Sequence, residues 1–98
     1  MSARHTGRVV AITGGASGIG QSIVQRLAGE GARIAIADIA DAAETIDIAR
    51  RAGGEAAAFR VDIANWEQMS AFADQVRACF GDPAIVIHCA ALQFMCPF

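Results

Sequence analysis

Apolar residues fall along this chain in short continuous runs that alternate with stretches of helical spacing. Residues 8–13, Arg-Val-Val-Ala-Ile-Thr, form the first run, which ends at Gly14. Ile19, Ile23, Val24 and Leu27 then recur at helical spacing, and Gly29 and Gly31 stop that helix. A second run covers 33–38. Asp41 and Glu44 give an Asp-x-x-Glu helix start, with Ile46 and Ala49 continuing one face up to Gly53-Gly54. A third run covers 56–62. Asn65 and Gln68 form a similar start signal, and Trp66, Met69, Phe72, Ala73, Val76 and Phe80 trace an apolar stripe that ends at Gly81-Asp82-Pro83. A fourth run covers 84–89. The pattern predicts four strands and three helices in strict alternation, with no repeat and no internal linker.

Strands alternating with helices predict a parallel sheet. The strands are apolar at nearly every position, as parallel strands buried on both faces are. Crossovers between parallel strands are right-handed, so a run 1→2→3 places its two helices on one face. Return of strand four to the far side of strand one gives the order 3-2-1-4 with the third helix on the opposite face. The expected fold class is therefore α/β, a partial doubly wound, Rossmann-like sheet, read as one domain over 1–98 that is incomplete at its C-terminus.

The turn between strand one and the first helix reads Thr13-Gly14-Gly15-Ala16-Ser17-Gly18-Ile19-Gly20. A helix N-terminus directs N–H groups and a positive dipole end at whatever lies above it, which suits a phosphate. Glycine allows a tight turn and close approach of a pyrophosphate to the backbone. Ser17 adds a hydroxyl. The order of elements that such a loop requires, strand before and helix after, is present. Asp38 closes strand two, where a carboxylate can accept both hydroxyls of an adenosine ribose and repels a 2′-phosphate. Arg33 begins that strand, too early to offset the charge. The expected cofactor is NAD rather than NADP. The glycines follow G-x-x-x-G-x-G, and no Gly-Lys-Ser/Thr follows them, so this is no nucleoside-triphosphate P-loop.

Composition removes several classes. The 98 residues are 54% hydrophobic and 18% charged with net charge −2, which leaves no basic footprint for nucleic acid. All eight basic residues are Arg, and they are scattered. The three Cys have no Cys-x-x-Cys spacing and read as reduced thiols, and His5 and His88 do not supply a metal set. No apolar run is long enough to span a bilayer and no signal peptide precedes strand one, so the expected location is cytoplasmic with no membrane partner.

Thr13-Gly14-x-x-x-Gly18-Ile19-Gly20 resembles the cofactor signature of the short-chain dehydrogenase/reductase family. The likeness spans residues 7–97. Gly7–Ile12 is similar to the family's lead-in, and the segment 31–38 is similar to the second strand of its NAD-preferring members. Asp62-Ile63 matches the pair that contacts adenine there, and 88–91, His-Cys-Ala-Ala, stands where the family has Asn-Asn-Ala-Gly. The resemblance implies a pyrophosphate set of Gly14, Ser17, Gly18, Ile19 and Gly20. It places Asp38, Ile39, Asp62 and Ile63 on the adenosine side, and Cys89 and Ala90 beside the cofactor. His88 and Cys89 depart from the two asparagines. A polar residue at a strand end is the simpler reading of His88 than a catalytic base, and Cys89 reads as packing rather than as a nucleophile.

The family's chemistry uses a Tyr-x-x-x-Lys pair with a Ser and an Asn. This chain has no Tyr and no Lys, so no residue is assigned as catalytic and the 98 residues are expected to be inactive alone. The tail at 90–98 is similar to polyol-type members read in frame, so the chain is expected to stop in mid-domain. Ile85, Val86 and Ile87 would then be left wet, forgoing roughly 1.5–3 kcal/mol each, and the open edge of strand four is expected to drive self-association. Two readings follow. One is the NAD-binding part of an oxidoreductase acting on an alcohol or carbonyl, from which a nonfunctional relic is not separable by sequence. The other is a non-catalytic module that binds NAD or completes another chain's sheet.

Overall fold

The computed structural model describes residues 7–16 and 18–88. Its elements are β1 (Val9–Thr13), α1 (Gly18–Gly29), β2 (Arg33–Asp38), α2 (Ala43–Ala52), β3 (Glu55–Arg60), α3 (Trp66–Cys79) and β4 (Ile85–His88). All pairings are parallel and the order is β3-β2-β1-β4, as the alternation predicts.

Side chains that alternate along β1 and β2 build a separate core on each face of the sheet. Val10, Ile12, Ile34 and Ile36 pack against Val24 and Ala28 of α1 and Ala49 of α2. Val9, Ala11, Ala35 and Ala37 face Phe72 and Val76 of α3. The alanines on that second face leave room for the Phe72 ring, which meets Phe59 edge-on at 5.6 Å and 66°. The helices thus divide two and one, the arrangement that right-handed crossovers demand.

Several local expectations need correction. Strand three is Glu55–Arg60, so Asp62 lies beyond it in the turn to α3. Asp41 does not cap α2. The N-cap is Ala42, and the Asp41 carboxylate accepts from the Ala43 N–H at 2.9 Å. Asn65 does cap α3, accepting from the Gln68 N–H at 3.0 Å. Gln68 reaches past Asn65 and accepts instead from the Asp62 N–H at 2.7 Å. Trp66 is not part of the buried stripe: it is 81% exposed. At 3.6 residues per turn it stands about 120° around α3 from Phe72, on the flank of the face set by Phe72 and Val76. In β4, Ile85 and Ile87 pack against the α1 side of the core, so of the three residues expected to be wet only Val86 is exposed, at 54%.

Candidate functional site

The carboxyl ends of all four strands lie along one edge of the sheet. The crossover from β1 leads to β2 on one side of it, and the crossover from β3 returns to β4 on its other side, so the β1 end is a topological switch point, the usual place for a ligand in an open α/β sheet. Strand register determines which side chains meet there. Thr13 lies opposite Ala37 on one side and His88 on the other, and Asp38 lies opposite Arg60. The Thr13 hydroxyl oxygen is buried with no hydrogen-bond partner among the described residues.

The glycine loop leaves this edge through Gly14, whose N–H donates to the Ala37 carbonyl at 2.9 Å. Gly14 and Gly18 have φ of 78° and 58°, values that a side chain rarely adopts. A Cβ on Gly20 would come within 2.0 Å of the Gly14 carbonyl oxygen. The first turn of α1 is therefore pressed directly against the loop. At Gly18, by contrast, an added Cβ would meet nothing within 4 Å. At Gly20 the loop has no room for a side chain against the helix, and beside Gly18 it is open, as close approach of a phosphate to the backbone would need.

Asp38 faces the loop from the end of β2. Its carboxylate accepts from the Ala16 N–H at 3.1 Å and from the Ala40 N–H at 3.0 Å. An ionised carboxylate has about four lone-pair sites, so acceptor capacity remains for a ligand. A cavity of about 390 Å³ opens beside it, lined by Asp38, Ile39, Asp41, Phe59 and Arg60 among others. That volume lies within the roughly 300–1,000 Å³ of small-ligand pockets. Ile39 and Ile19 are exposed at the site.

Asp62 is tied in from the third strand. The Val61 N–H donates to the Asp38 carbonyl at 3.2 Å, and the Asp62 carboxylate accepts from the Ala64 N–H at 3.0 Å. Ile63 beside it is half-buried. The fold thus brings Gly14, Gly18, Ile19, Gly20, Asp38, Ile39, Asp62 and Ile63 to one edge. Ser17, Cys89 and Ala90 lie outside the described residues.

Sequence reasoning missed two participants. Arg60 comes beside Asp38 only through β2–β3 register. Thr45 is fully buried on α2 and donates its hydroxyl to the Ala16 carbonyl at 3.1 Å. Its position in the inward series Ala42, Thr45, Ala49 was an available signal. Arg33, at the opposite end of β2, pairs with Glu55 at 3.4 Å and lies over the Phe80 ring at 4.7 Å. Among the described residues no group of His, Cys, Asp and Glu could hold a metal, and no helix is long and apolar enough to cross a membrane.

A family model described as short chain dehydrogenase matches residues 8–98. The chain belongs to the short chain dehydrogenase family.

Among the relatives of this short chain dehydrogenase chain is D-threitol dehydrogenase of Mycolicibacterium smegmatis. It is 39% identical over 98 residues, an alignment covering 96% of this chain and 37% of the relative. The 2,5-dichloro-2,5-cyclohexadiene-1,4-diol dehydrogenase of Sphingobium indicum is 45% identical over 76 residues, 78% of this chain and 30% of that protein. The crystal structure of NADH-dependent reductase A1-R′ complexed with NAD superposes with a TM-score of 0.77 at 28% identity, covering 83% of this chain and 35% of that one. This short chain dehydrogenase chain thus spans about a third of the length of the curated relatives it matches.

Proposed function

We propose that the chain is the NAD-binding portion of a short chain dehydrogenase that interconverts an alcohol and a carbonyl, with a polyol as the substrate class. The observation that carries this reading is the glycine turn between β1 and α1, open at Gly18 and tied to the Asp38 carboxylate at the end of β2. Gly14, Ser17, Gly18, Ile19 and Gly20 would hold the pyrophosphate, with the α1 N-terminus supplying N–H groups and dipole. Asp38 and Ile39 would hold the adenosine ribose, Asp62 and Ile63 the adenine, and Cys89 and Ala90 would lie beside the cofactor. A bound nicotinamide supplies hydride acceptance and donation. The residues of this chain bind and orient it. They do not manage the substrate proton, since neither Tyr nor Lys occurs among them.

The preference for NAD over NADP rests on the Asp38 charge. Arg60 on the neighbouring strand gives the NADP alternative its one specific support. Titration of the 98-residue chain with NADH and with NADPH, followed by nicotinamide fluorescence, tests both points. Saturable NADH binding with weaker NADPH binding supports the reading. Equal affinities would shift the weight to Arg60, and no binding of either would remove the nucleotide reading. The alternative reading is a module that binds NAD without catalysis. Threitol oxidation by the 98 residues alone would refute that module and the expectation of inactivity together.

We also propose a cytoplasmic location and self-association through the outer edge of β4, where Val86 is exposed. Apolar hollows of about 360 and 120 Å³ flank that strand, one against α1 and one against α3. Light scattering across a concentration series should show a mass above 10.2 kDa that rises with concentration. A constant monomer mass would end the proposal.

A further inference from the structure

The backbone of Ala16 is held from both sides by groups outside the loop. Its N–H donates to Asp38 Oδ2 at 3.1 Å, and its carbonyl accepts from Thr45 Oγ1 at 3.1 Å. Thr45 Oγ1 in turn accepts from Gln21 Nε2, in the first turn of α1, at 3.3 Å. The series Gln21–Thr45–Ala16–Asp38 therefore joins α1, α2, the glycine loop and β2. Thr45 is the one polar residue among the buried positions of α2 and its N-cap, the others being Ala42 and Ala49. A buried hydroxyl is costly unless bonded, and this one uses its donor and one acceptor site.

The carbonyl is the part of the loop most damaging to anion binding. Its oxygen carries the negative end of the peptide dipole, and turned outward it would repel a phosphate that the neighbouring N–H groups attract. The bond to Thr45 holds the Ala16 oxygen toward α2. The bond to Asp38 fixes the N–H of the same residue and ties the loop to the carboxylate that faces the ribose. We propose that Thr45 is a positioning residue, which keeps the Ala16 carbonyl turned inward so that the loop presents N–H groups and not oxygen to the pyrophosphate. The role rests on the nucleotide reading and adds to it a residue from α2, remote in sequence from the glycine motif.

The test uses three variants of the 98-residue chain: Thr45→Val, which keeps the β-branch and removes the hydroxyl, Thr45→Ser, which keeps the hydroxyl, and Gln21→Met, which removes only the bond to Thr45. NADH, ADP-ribose and adenosine are the ligands. Thr45→Val should bind NADH and ADP-ribose about tenfold more weakly, the value of one lost buried hydrogen bond, with adenosine affinity unchanged. Thr45→Ser should bind all three as the parent chain does, and Gln21→Met should lose about threefold on the two pyrophosphate ligands only. The ¹³C shift of the Ala16 carbonyl should move in Thr45→Val and stay in place in Thr45→Ser. Equal losses on adenosine and ADP-ribose would make Thr45 merely structural and overturn the proposal. Unchanged binding in both Thr45→Val and Gln21→Met would overturn it as well. Should Thr45→Val not fold, Gln21→Met decides by the same comparison. Failure of the parent chain to bind NADH and ADP-ribose would overturn the nucleotide reading and this role with it. Binding by the parent with no selective loss in the variants overturns the role of Thr45 alone.

Discussion

Gly20→Ala isolates the loop–helix contact on which the site depends. The added methyl would fall 2.0 Å from the Gly14 carbonyl oxygen, 2.8 Å from its carbon and 2.9 Å from the Gly15 Cα. All three are backbone atoms, so no flexible side chain can move aside. Either α1 slides or the loop opens. Overpacking a tight interior costs about 1–3 kcal/mol, and contact with main chain places this variant at the upper end. Alanine returns up to ~1 kcal/mol of helix propensity, which does not cancel that cost. The expected net loss of about 2 kcal/mol is a large share of a stability of roughly 5–15 kcal/mol. Gly29→Ala is the control. It lies in the same helix, and its added methyl meets nothing within 4 Å. It should be neutral or gain up to ~1 kcal/mol. Urea unfolding by circular dichroism measures both, and NADH titration at low urea measures the site. Gly20→Ala should lower the midpoint and weaken NADH binding, while Gly29→Ala should do neither. A Gly20→Ala chain as stable as Gly29→Ala, with full NADH affinity, would show that the loop and helix are not pressed together and would remove the basis for the proposed phosphate site.

Three further predictions follow from the packing and the charges. Phe72→Ala should cost about 3–5 kcal/mol in urea unfolding, because the buried ring fills the α3 face against Phe59; Trp66→Ala on the same helix should stay within about 0.5 kcal/mol. Asn65→Ala should cost about 1 kcal/mol by removing the cap on the Gln68 N–H, whereas Asp41→Ala, one residue before the N-cap of α2, should cost less in the same assay. Asp38→Ser should narrow the NADH-to-NADPH affinity ratio by about tenfold, equivalent to ~1.4 kcal/mol; an unchanged ratio in paired fluorescence titrations would show that the carboxylate does not set the preference.

What the sequence makes legible here is local. The Asn65 cap, the Gly14–Gly20 turn and the apolar runs are each encoded within a few residues, because they depend on dihedral preference, nearest hydrogen-bond partners and side-chain period. Strand order was also readable, since handed crossovers leave few arrangements for three helices and four continuous apolar strands. Trp66 shows where period alone misleads. It continues the spacing from Met69, yet the buried face is centred on Phe72 and Val76, and only their docking against Ala11 and Ala35 establishes that centre. The contacts of Thr45 and Arg60 are set over longer range: the inward series Ala42, Thr45, Ala49 signals that Thr45 is buried but not what it bonds. Thr45 meets Ala16 across 29 positions. Arg60 stands opposite Asp38 through a parallel register that no turn specifies, because a crossover of many residues separates the strands.

That difference bears on how the site is divided. The groups proposed to touch the pyrophosphate come from one contiguous turn, and the residues that hold this turn in shape come from β2, α1 and α2. Asp38 belongs to the second set and is also the residue proposed to hold the ribose. Each of its carboxylate oxygens already holds a backbone N–H, one of them in the glycine loop. Replacing it removes a charge and releases the loop together, so a lost affinity in Asp38→Ala would not distinguish the two effects. Asp38→Asn separates them in part. It keeps one oxygen to hold the loop and removes the charge proposed to exclude a 2′-phosphate. If charge governs cofactor choice and hydrogen bonding governs loop shape, Asn should relax the NADH-to-NADPH ratio while binding ADP-ribose more tightly than Ala does. A single parallel decline in both quantities across Asn and Ala would mean that one property of Asp38, its hold on Ala16, accounts for everything the residue does.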